Sequence, residues 1–464
     1  MAFWLLVRRF LGDRRGGVAM MVGMSIFVLA GALGVAVDSA RGYSAKSKLQ
    51  DAVDAAALAG AKAYSQGLTA GDDGTAEDFA STEARMFFDA NYSDDYMGGV
   101  VADFDARIDE ASDSLIVTAE ATIPTSFLQV LGIEEVTISS EAQVIAAQTA
   151  LELALVVDVT GSMNWTDSNG DVKIDSLQSA GLKLLETLYD EKTTLPGVYL
   201  SLVPYRAAVN VGSGRTTWLR NFNAGDFSPV GWRGCVLARD DPRDQNDNPP
   251  DTSTNRFPPY FWPASEYGYW ATYFFGPHDP NQICPVNEII PLTDNRTTIE
   301  DGINALDAQS GGGTQTSQGL VWGWRAISPR WQGYWGGVTP SDMPHEYDEP
   351  NLIKAVVFMT DGIADIGWEL MAYGFLDEGN LGTTNEASAE AEVNSRLSTI
   401  CEAIKAEGVE IFSVMFAVTD PSIESTYRDC ASQPEHFFNS PTGEELEAAF
   451  EAIGRKLASL RIAR

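Results

Sequence analysis

The sequence predicts an α/β protein in which a single transmembrane helix and a small α+β domain precede a doubly wound, mostly parallel sheet. Residues 17–37 form an uncharged apolar run near the start of the chain. Residues 66–150 contain short runs with the alternation of half-buried strands. From residue 151 onward, continuous apolar segments alternate with longer amphipathic ones, a pattern typical of buried parallel strands separated by helices.

The composition narrows the possible functions. The chain has 464 residues, and this length favours roughly two to three domains over one core. Its 65 acidic and 31 basic residues give a formal net charge of −34 at pH 7. Such acidity repels phosphate backbones and argues against nucleic-acid binding. We therefore expect cations, rather than anions, as ligands of this chain.

The apolar run of residues 17–37 would extend about 31 Å as a helix, enough to cross a bilayer core. Four arginines precede it, and the positive-inside bias places segment 1–16 in the cytoplasm and the chain after Asp38 outside it. A cleaved signal peptide is the alternative. The run is longer than the roughly 7 to 15 apolar residues usual in such peptides, and the small-residue cleavage site near Ala40 is weak. We therefore expect a single-pass anchor.

Residues 38–65 should continue the membrane helix outward. They contain no proline and place Leu49, Val53, Ala56 and Ala57 at helical spacing. This alanine-rich face suits close packing against another helix, either of the next domain or of a partner. We favour packing within the molecule.

Residues 66–150 are predicted to form a small α+β spacer or interaction domain. A helix near 76–90 precedes strand-like runs in "VVADFDARID", "DSLIVTAEATI" and "VTISSEAQVIAA", with a short helix in "PTSFLQVLGI". No group of candidate catalytic residues occurs in this segment.

Residues 151–464 are predicted to form the main domain. Its strands are expected in "LELALVVD", "GVYLSLVPY", "LIKAVVFMTD" and "VEIFSVMFAV", and its helices near 174–190, 316–328, 386–407, 422–432 and 443–460. Ligands of doubly wound sheets bind at the carboxyl ends of the strands. Asp158 and Asp361 each end an apolar strand at that edge.

A large insertion at about 206–291 separates the second strand from the next helix. It is acidic in "DDPRDQNDNPPDTSTN" and then aromatic in "RFPPYFWPASEYGYWATYFFGP". Its length favours a folded lid or an interaction surface over a structureless loop. We expect the aromatic residues to form a small core of their own, and a carbohydrate-binding or partner-binding platform is the alternative.

The four cysteines are an even set without metal-ligand spacing, which suits an exported, disulfide-bonded chain. Three connectivities are possible. We favour the pairing of neighbours in sequence, Cys235 with Cys284 and Cys401 with Cys430. Four buried thiols are the alternative.

The candidate site begins with "DVTGS". Asp158, Thr160 and Ser162 are spaced so that their side chains project to one side of an extended segment. Thr314, in the glycine-rich "GGGTQTSQGL", and Asp361, in "VVFMTDG", would complete an all-oxygen site. Oxygen ligands suit Mg²⁺, our preferred ion, as well as Mn²⁺ and Ca²⁺. Since hydroxyls are uncharged, the ion keeps positive charge and can accept an acidic side chain from a partner.

A phosphatase is the alternative function. Haloacid-dehalogenase-like phosphatases and P-type pumps carry a nucleophilic aspartate after an apolar strand, as Asp158 is placed here, and "TDGIAD" approaches their metal-binding loop. Three departures argue against it: Val159 replaces the lysine of the pumps, and Thr160 replaces the acid/base aspartate of the soluble enzymes. The third is that no lysine is placed to neutralise a phosphorylated aspartate, because Lys354 precedes its strand and should lie at the opposite end of the sheet.

The five site residues match, in order and spacing, the metal-ion-dependent adhesion site of von Willebrand factor type A domains, with Thr160 in place of the first serine. The chain also resembles the TadG-like proteins of bacterial tight-adherence (Flp) pilus assembly. The resemblance lies in "RRGGVAMMVGMSIFVLAGALGVAVDSARGYSAKSKLQDAVDAAALAGA", "WRGC", "GGGTQTSQGLVWGWRAISP" and "YRDCASQPEHFFNSPTGEELEAAFEAIGRKLASLRI". It implies a bacterial inner-membrane anchor, a periplasmic type A domain that binds other pilus proteins, and no enzymatic activity.

Two smaller features receive no functional role. The stretch "DSNGDVKID" places Asp167, Asn169 and Asp171 like calcium ligands but lacks a complete EF-hand spacing, so we expect a solvated turn. The three histidines are isolated in sequence. A structural scaffold with an inactive metal site is the remaining alternative to a metal-dependent binding module.

Overall fold

The computed structural model describes residues 16–69, 73–93, 95–109, 114–145, 149–189, 192–309, 311–362, 364–418 and 421–462. The chain forms two compact units, Met1–Ala147 and Gln148–Arg464. Apart from Gly16, the predicted cytoplasmic segment 1–16 lies outside the described residues.

The first unit combines two helices with an antiparallel sheet. In chain order its elements are α1 (Gly16–Thr69), α2 (Asp73–Asn91), β1 (Val100–Asp109), β2 (Ser114–Pro124) and β3 (Glu135–Ile145). The strands lie in the order β1-β2-β3. A 3₁₀ turn, Leu128–Leu131, connects β2 to β3.

Helix α1 joins the apolar run to the folded part of this unit without a break. It has 54 residues, and within the described part of the chain it is the helix long and apolar enough to cross a membrane. The outer half is covered on one face by α2 and the sheet, where Leu49 and Val53 are buried with Leu115 of β2. A Cβ at Gly60 would lie 2.5 Å from Leu115 Cδ2, so small residues let the elements approach closely.

The second unit is built on an eight-stranded sheet in the order β11-β10-β9-β4-β5-β6-β7, with β8 paired to β5. The pairs among β4, β5, β9, β10 and β11 are parallel, whereas β6, β7 and β8 pair antiparallel. The strands are β4 (Ala150–Asp158), β5 (Val198–Tyr205), β6 (Val209–Asn210), β7 (Cys235–Val236), β8 (Ile290–Thr293), β9 (Leu352–Thr360), β10 (Glu410–Phe416) and β11 (Phe437–Ser440). This is the predicted doubly wound, mostly parallel sheet.

The second unit has seven helices among its described residues. They are α3 (Lys173–Tyr189), α4 (Tyr269–Phe275), α5 (Arg296–Asn304), α6 (Thr316–Ile327), α7 (Glu386–Ala406), α8 (Pro421–Cys430) and α9 (Gly443–Ile462). All of them except α4, which lies in the insertion, pack around this sheet. Alternate side chains of β4 enter different cores, as expected for a strand buried on both faces. Val156 belongs to the core with Trp322 of α6, and Val157 to the core with Leu184 of α3.

The predicted insertion is folded, and part of it belongs to the sheet, since its short strands β6 and β7 extend the edge beyond β5. The Cys235–Cys284 disulfide lies within it, and a second disulfide joins Cys401 of α7 to Cys430 of α8. Phe257, Tyr260 and Trp262 are buried, in agreement with an aromatic core. The expectation does not hold for α4, because that helix exposes four aromatic side chains: Tyr269, Trp270, Tyr273 and Phe274.

The imidazole of His436 is buried in the second unit. Its ring stacks on Phe412 at 4.2 Å between centroids. Its Nδ1 lies 3.3 Å from Glu410 Oε2, yet neither ring nitrogen has a hydrogen-bond partner within the described chain. Burial, assisted by the positive charge of Lys456, lowers the pKa of His436 to about 4. The folded protein therefore holds this imidazole neutral.

This burial should make the unit sensitive to acid. An unfolded histidine titrates near pH 6.5, above the folded-state pKa of about 4, so the unfolded chain binds the proton more tightly. We expect His436 to reduce stability as the pH falls from about 6.5 towards 4. His436→Phe, which preserves the stacking, should lose less stability between about pH 7 and pH 5 in urea unfolding. An equal loss in both proteins would contradict this role.

Candidate metal site

The site lies where two neighbouring parallel strands end. Strands β4 and β9 are paired, with Val157 opposite Met359, so the residues that follow them meet at one edge of the sheet. Asp158 is the last residue of β4, and Asp361 directly follows β9. The predicted convergence of these two aspartates on the carboxyl edge is therefore present.

Asp158 forms the floor of the site. Its Oδ1 accepts a hydrogen bond from the backbone NH of Thr160 at 2.9 Å, and its Oδ2 accepts one from Thr360 Oγ1 at 3.0 Å. The side chain is fully buried. Burial, with a further contribution from the negative charge of Asp361, raises the pKa of Asp158 to about 7. Nearby positive charge would stabilise the ionised carboxylate.

A chain of hydrogen bonds links the two strand ends. The hydroxyl oxygens of Thr160 and Ser162 are 2.9 Å apart, and Ser162 Oγ donates to Asp361 Oδ1 at 2.7 Å. Thr160 and Asp361 are buried, while Ser162 is half-buried. The structure thus brings four of the five predicted residues together, and Ser162 is the most accessible of them.

Thr314 is linked to the segment that follows Asp361 but is not part of this hydrogen-bond chain. Among the described residues, its hydroxyl makes no hydrogen bond with the other four. Its backbone carbonyl accepts from the NH of Asp365 at 3.1 Å. The preceding glycine-rich loop is held by Arg206, whose guanidinium donates to Gln309 Oε1 at 3.0 Å and to the carbonyl of Gly311.

Lys173 is a site residue that the sequence reasoning missed. Its Nζ donates to Asp361 Oδ2 at 3.0 Å, and both side chains are buried. The expectation that no lysine approaches this edge of the sheet is therefore wrong, although Lys354 does lie near the start of β9, at the far end. Nothing in the stretch "DVKID" indicates that its lysine is a site residue. Lys173 lies in the first turn of α3, and only the packing of that helix brings its side chain to Asp361.

The neighbouring turn explains how Lys173 is positioned. Asp167 Oδ1 accepts from the NH groups of Asn169 and Asp171, and its Oδ2 accepts from Gly443 NH at 2.7 Å. Burial opposes ionisation, but these backbone bonds prevail and lower the pKa of Asp167. The calcium-like spacing thus fixes a structural turn against α9. Asp167 is buried, whereas residues 168–171 are exposed, so the turn is solvated, as expected, apart from the aspartate that anchors it.

The donor set fits a hard divalent cation. Carboxylate and hydroxyl oxygens are the ligands that Mg²⁺, Mn²⁺ and Ca²⁺ take. Once Asp158 is ionised, the two carboxylates of Asp158 and Asp361 face the single ammonium of Lys173, which leaves the group net negative. Lys173 contacts the Asp361 oxygen that does not contact Ser162, so the oxygens of Thr160, Ser162 and Asp361 remain grouped.

A second group of carboxylates lies within the described residues. Ligand oxygens of Asp365, Glu386 and Glu390 are within 4.8 Å of one another. Burial and the charge of Glu386 raise the pKa of Asp365, and burial with the charges of Asp365 and Glu386 raises the pKa of Glu390. Exposed acidic groups of this kind are common without an ion, so this group serves as a control for the main site.

The sheet order of the second unit agrees with the α/β fold expected for von Willebrand factor type A domains. Residues 16–63 match the family model of the Flp pilus-assembly TadE/G-like proteins. This match confirms the sequence resemblance for that segment. Together with the apolar helix α1, it indicates a membrane-anchored component related to pilus assembly. A search of curated proteins gave no match.

Solved structures that match this chain include pilus proteins. The von Willebrand domain of the type V pili tip protein Mfa5 from Porphyromonas gingivalis has 12% identity and a TM-score of 0.37, covering 68% of this chain and 98% of that one. The PilB minor pilin from Streptococcus sanguinis has 11% identity and a TM-score of 0.35, covering 78% and 79%. Proximal thread matrix protein 1 from the mussel byssus, with a zinc-occupied adhesion motif, has 12% identity and a TM-score of 0.31, covering 67% and 48%.

Proposed function

We propose that the protein is a membrane-anchored, metal-dependent binding module of Flp pilus assembly or anchoring. Its N-terminus would be cytoplasmic and its folded units periplasmic, with helix α1 in the bacterial inner membrane. The observation that supports metal dependence best is the hydrogen-bonded group of Asp158, Thr160, Ser162 and Asp361 at adjacent strand ends. Thr314 would join them when an ion is bound.

The proposed ion would be Mg²⁺, with Mn²⁺ or Ca²⁺ as substitutes. It would be held by the two hydroxyls of the "DVTGS" loop, by Thr314 and by Asp361, over the buried carboxylate of Asp158. An ion bound largely by uncharged hydroxyls retains positive charge and can accept an acidic side chain from a pilus protein. The partner would approach on the side of Ser162, since it is the most accessible residue of the group.

Crosslinking in the native cell tests the proposal. Pilus-assembly proteins should be recovered with the chain when Mg²⁺ is present, and chelation with EDTA should reduce their recovery. Recovery that is equal in Mg²⁺ and in EDTA, with normal pilus assembly by Asp158→Ala, would favour the scaffold with an inactive site.

The contact of Lys173 makes the phosphatase alternative worth testing. That enzyme would need a lysine beside the nucleophile, and Lys173 lies at this edge of the sheet. However, Lys173 contacts Asp361, and Asp158 is fully buried with both oxygens accepting hydrogen bonds. We expect no turnover of an aryl phosphate and no trapped beryllium-fluoride complex. Turnover of the aryl phosphate, or a trapped beryllium-fluoride complex, would support the enzyme instead if Asp158→Asn abolished it.

Lys173 should weaken cation binding. Its ammonium occupies one oxygen of Asp361 and places a positive charge beside the ion. We expect Lys173→Met to tighten Mg²⁺ binding about tenfold, which corresponds to about 1.4 kcal/mol. Calorimetric titration of Mg²⁺ measures this change. Lys183→Met, which removes an exposed lysine of the same helix, is the matched control and should leave the affinity unchanged. Weaker binding by Lys173→Met would show that Lys173 positions Asp361 for the ion.

A further inference from the structure

The turn between β2 and β3 exposes an unusual set of apolar side chains. Residues 125–133, here called the β2–β3 loop, contain no charged residue. Four of its apolar side chains are strongly exposed: Phe127 at 52%, Val130 at 76%, Leu131 at 66% and Ile133 at 46%. Four strongly exposed apolar side chains on one short loop indicate a surface that contacts another protein or a membrane.

The loop is attached to α1 at the level of the apolar run. A Cβ at Gly34 would lie 2.5 Å from the Cβ of Phe127, so the loop packs directly on the helix backbone there. Gly34 belongs to the uncharged run of residues 17–37, and it lies about 6 Å below Asp38 along the helix axis. The loop therefore sits at a depth where lipid surrounds α1 if this run spans the bilayer.

Asp38 fixes the loop in this position. Its Oδ1 accepts from Ser126 NH at 3.0 Å, and its Oδ2 accepts from the NH groups of Phe127 and Leu128, each at 2.8 Å. Burial opposes ionisation, but these three backbone bonds together with the charge of Arg41 lower the pKa of Asp38. Arg41 donates to Met97 O at 3.0 Å and also contacts Ser126 Oγ. Asp38 and Arg41, the first charged residues beyond the apolar run, thus hold the loop against α1.

Most backbone NH groups of the loop already have hydrogen-bond partners within the protein. Besides the three NH groups bound by Asp38, those of Thr125, Val130, Gly132 and Ile133 donate to backbone carbonyls at 2.9 to 3.2 Å. Irregular backbone is costly in lipid because unpaired polar groups lose water there. Since most donors of this loop are already paired, its immersion costs little and gains the burial of its apolar side chains.

We propose that the β2–β3 loop is a second membrane contact, which inserts Phe127, Val130 and Leu131 into the leaflet on the Asp38 side of the bilayer. The occupant of this apolar surface is lipid, because the surface is continuous with the membrane-facing part of α1 and lies at its depth. Glu134 and Glu135, both exposed, follow the loop and mark the return to water. The proposal rests on residues 17–37 spanning the membrane, and it is independent of the metal site.

Fluorescence quenching in vesicles tests the proposal on the full-length protein. All four cysteines form disulfides, so single new thiols can be labelled selectively with an environment-sensitive dye. Leu131→Cys and Val130→Cys report on the loop. Leu29→Cys, in the apolar run, reports on the membrane span. Phe79→Cys is the aqueous control, since Phe79 is exposed on α2 beside the level of Gly60, about 33 Å along α1 from Asp38.

In phosphatidylcholine vesicles, nitroxide lipids should quench the dye at Leu131 and Val130, at a depth of roughly 5–10 Å into the headgroup and acyl boundary. Aqueous iodide should quench those positions severalfold less than Phe79. Iodide quenching equal to that of Phe79 would overturn the proposal, and so would shielding from both quenchers, which would indicate a protein partner or a second copy. Lipid quenching at Leu29 but not at the loop would show that the membrane anchor is correct and that this proposal is wrong. No lipid quenching at Leu29 would show that the anchor itself is wrong.

Discussion

Asp158→Ala should abolish the binding of Mg²⁺ and Mn²⁺ to the second unit. The variant loses the carboxylate that lies beneath the two hydroxyls and accepts from Thr160 NH and Thr360 Oγ1. In the unaltered protein, an ion at about 100 times its dissociation constant should raise the free energy of unfolding by about 2.7 kcal/mol. For Asp158→Ala we expect no such increase. Thermal unfolding of fragment Gln148–Arg464, with and without the ion, measures the difference.

Two further variants make this result specific. Asp301→Ala removes an exposed aspartate of α5 by the same substitution and should keep the full ion-dependent increase. Glu386→Gln with Glu390→Gln removes two carboxylates of the second acidic group and should also keep it. An unchanged increase in Asp158→Ala, together with its loss in the Glu386 and Glu390 variant, would place the ion at the second group and refute the proposed site.

Lys354→Met should strongly destabilise the second unit. Lys354 and Glu152 form an ion pair buried at the amino end of the sheet. Glu152 also accepts from the backbone NH of His345 at 2.8 Å and from its Nδ1 at 2.9 Å, and Lys354 donates to Ile327 O at 2.9 Å. Removal of the lysine leaves Glu152 as a buried, unpaired charge. We expect a loss of about 3 to 5 kcal/mol in the free energy of unfolding.

Urea unfolding of the same fragment measures this loss at neutral pH. Glu152→Gln added to Lys354→Met should recover most of it, because the amide keeps an acceptor for His345 without the charge. Lys183→Met, which breaks an exposed pair with Glu186, should cost less than about 1 kcal/mol. A loss of that small size in Lys354→Met would show that water reaches Glu152 and that the pair is of little importance.

The strands and the position of the site could be predicted because both depend on local patterns. Continuous apolar runs end at Asp158 and Asp361, and parallel strands bring their carboxyl ends together wherever the sheet is doubly wound. These inferences need no knowledge of how distant parts of the chain pack. The hydroxyls of Thr160 and Ser162 do meet near Asp158, but the extended segment expected for them is wrong, because Ser162 lies in a 3₁₀ turn, Gly161–Asn164, that Thr160 precedes.

The remaining features depend on contacts between distant parts of the chain. Lys173 reaches Asp361 across 188 positions, and Asp167 reaches Gly443 across 276. No periodicity or spacing in "DSNGDVKID" specifies either partner. The exposed helix α4 was missed for a related reason: its composition resembles that of the buried Phe257–Trp262 region, and only the fold decides which aromatic residues are covered.

The unbroken course of α1 has a mechanical consequence. About 48 Å of this helix, from Asp38 to Thr69, extends beyond the apolar run, and its hydrogen bonds continue through the boundary between the two parts. A pulling force applied to the outer part of α1 would therefore reach the membrane segment through one continuous, stiff helix. A protein that holds a surface filament would gain from such a helix, because tension on the filament would become tilt or displacement of the span within the bilayer.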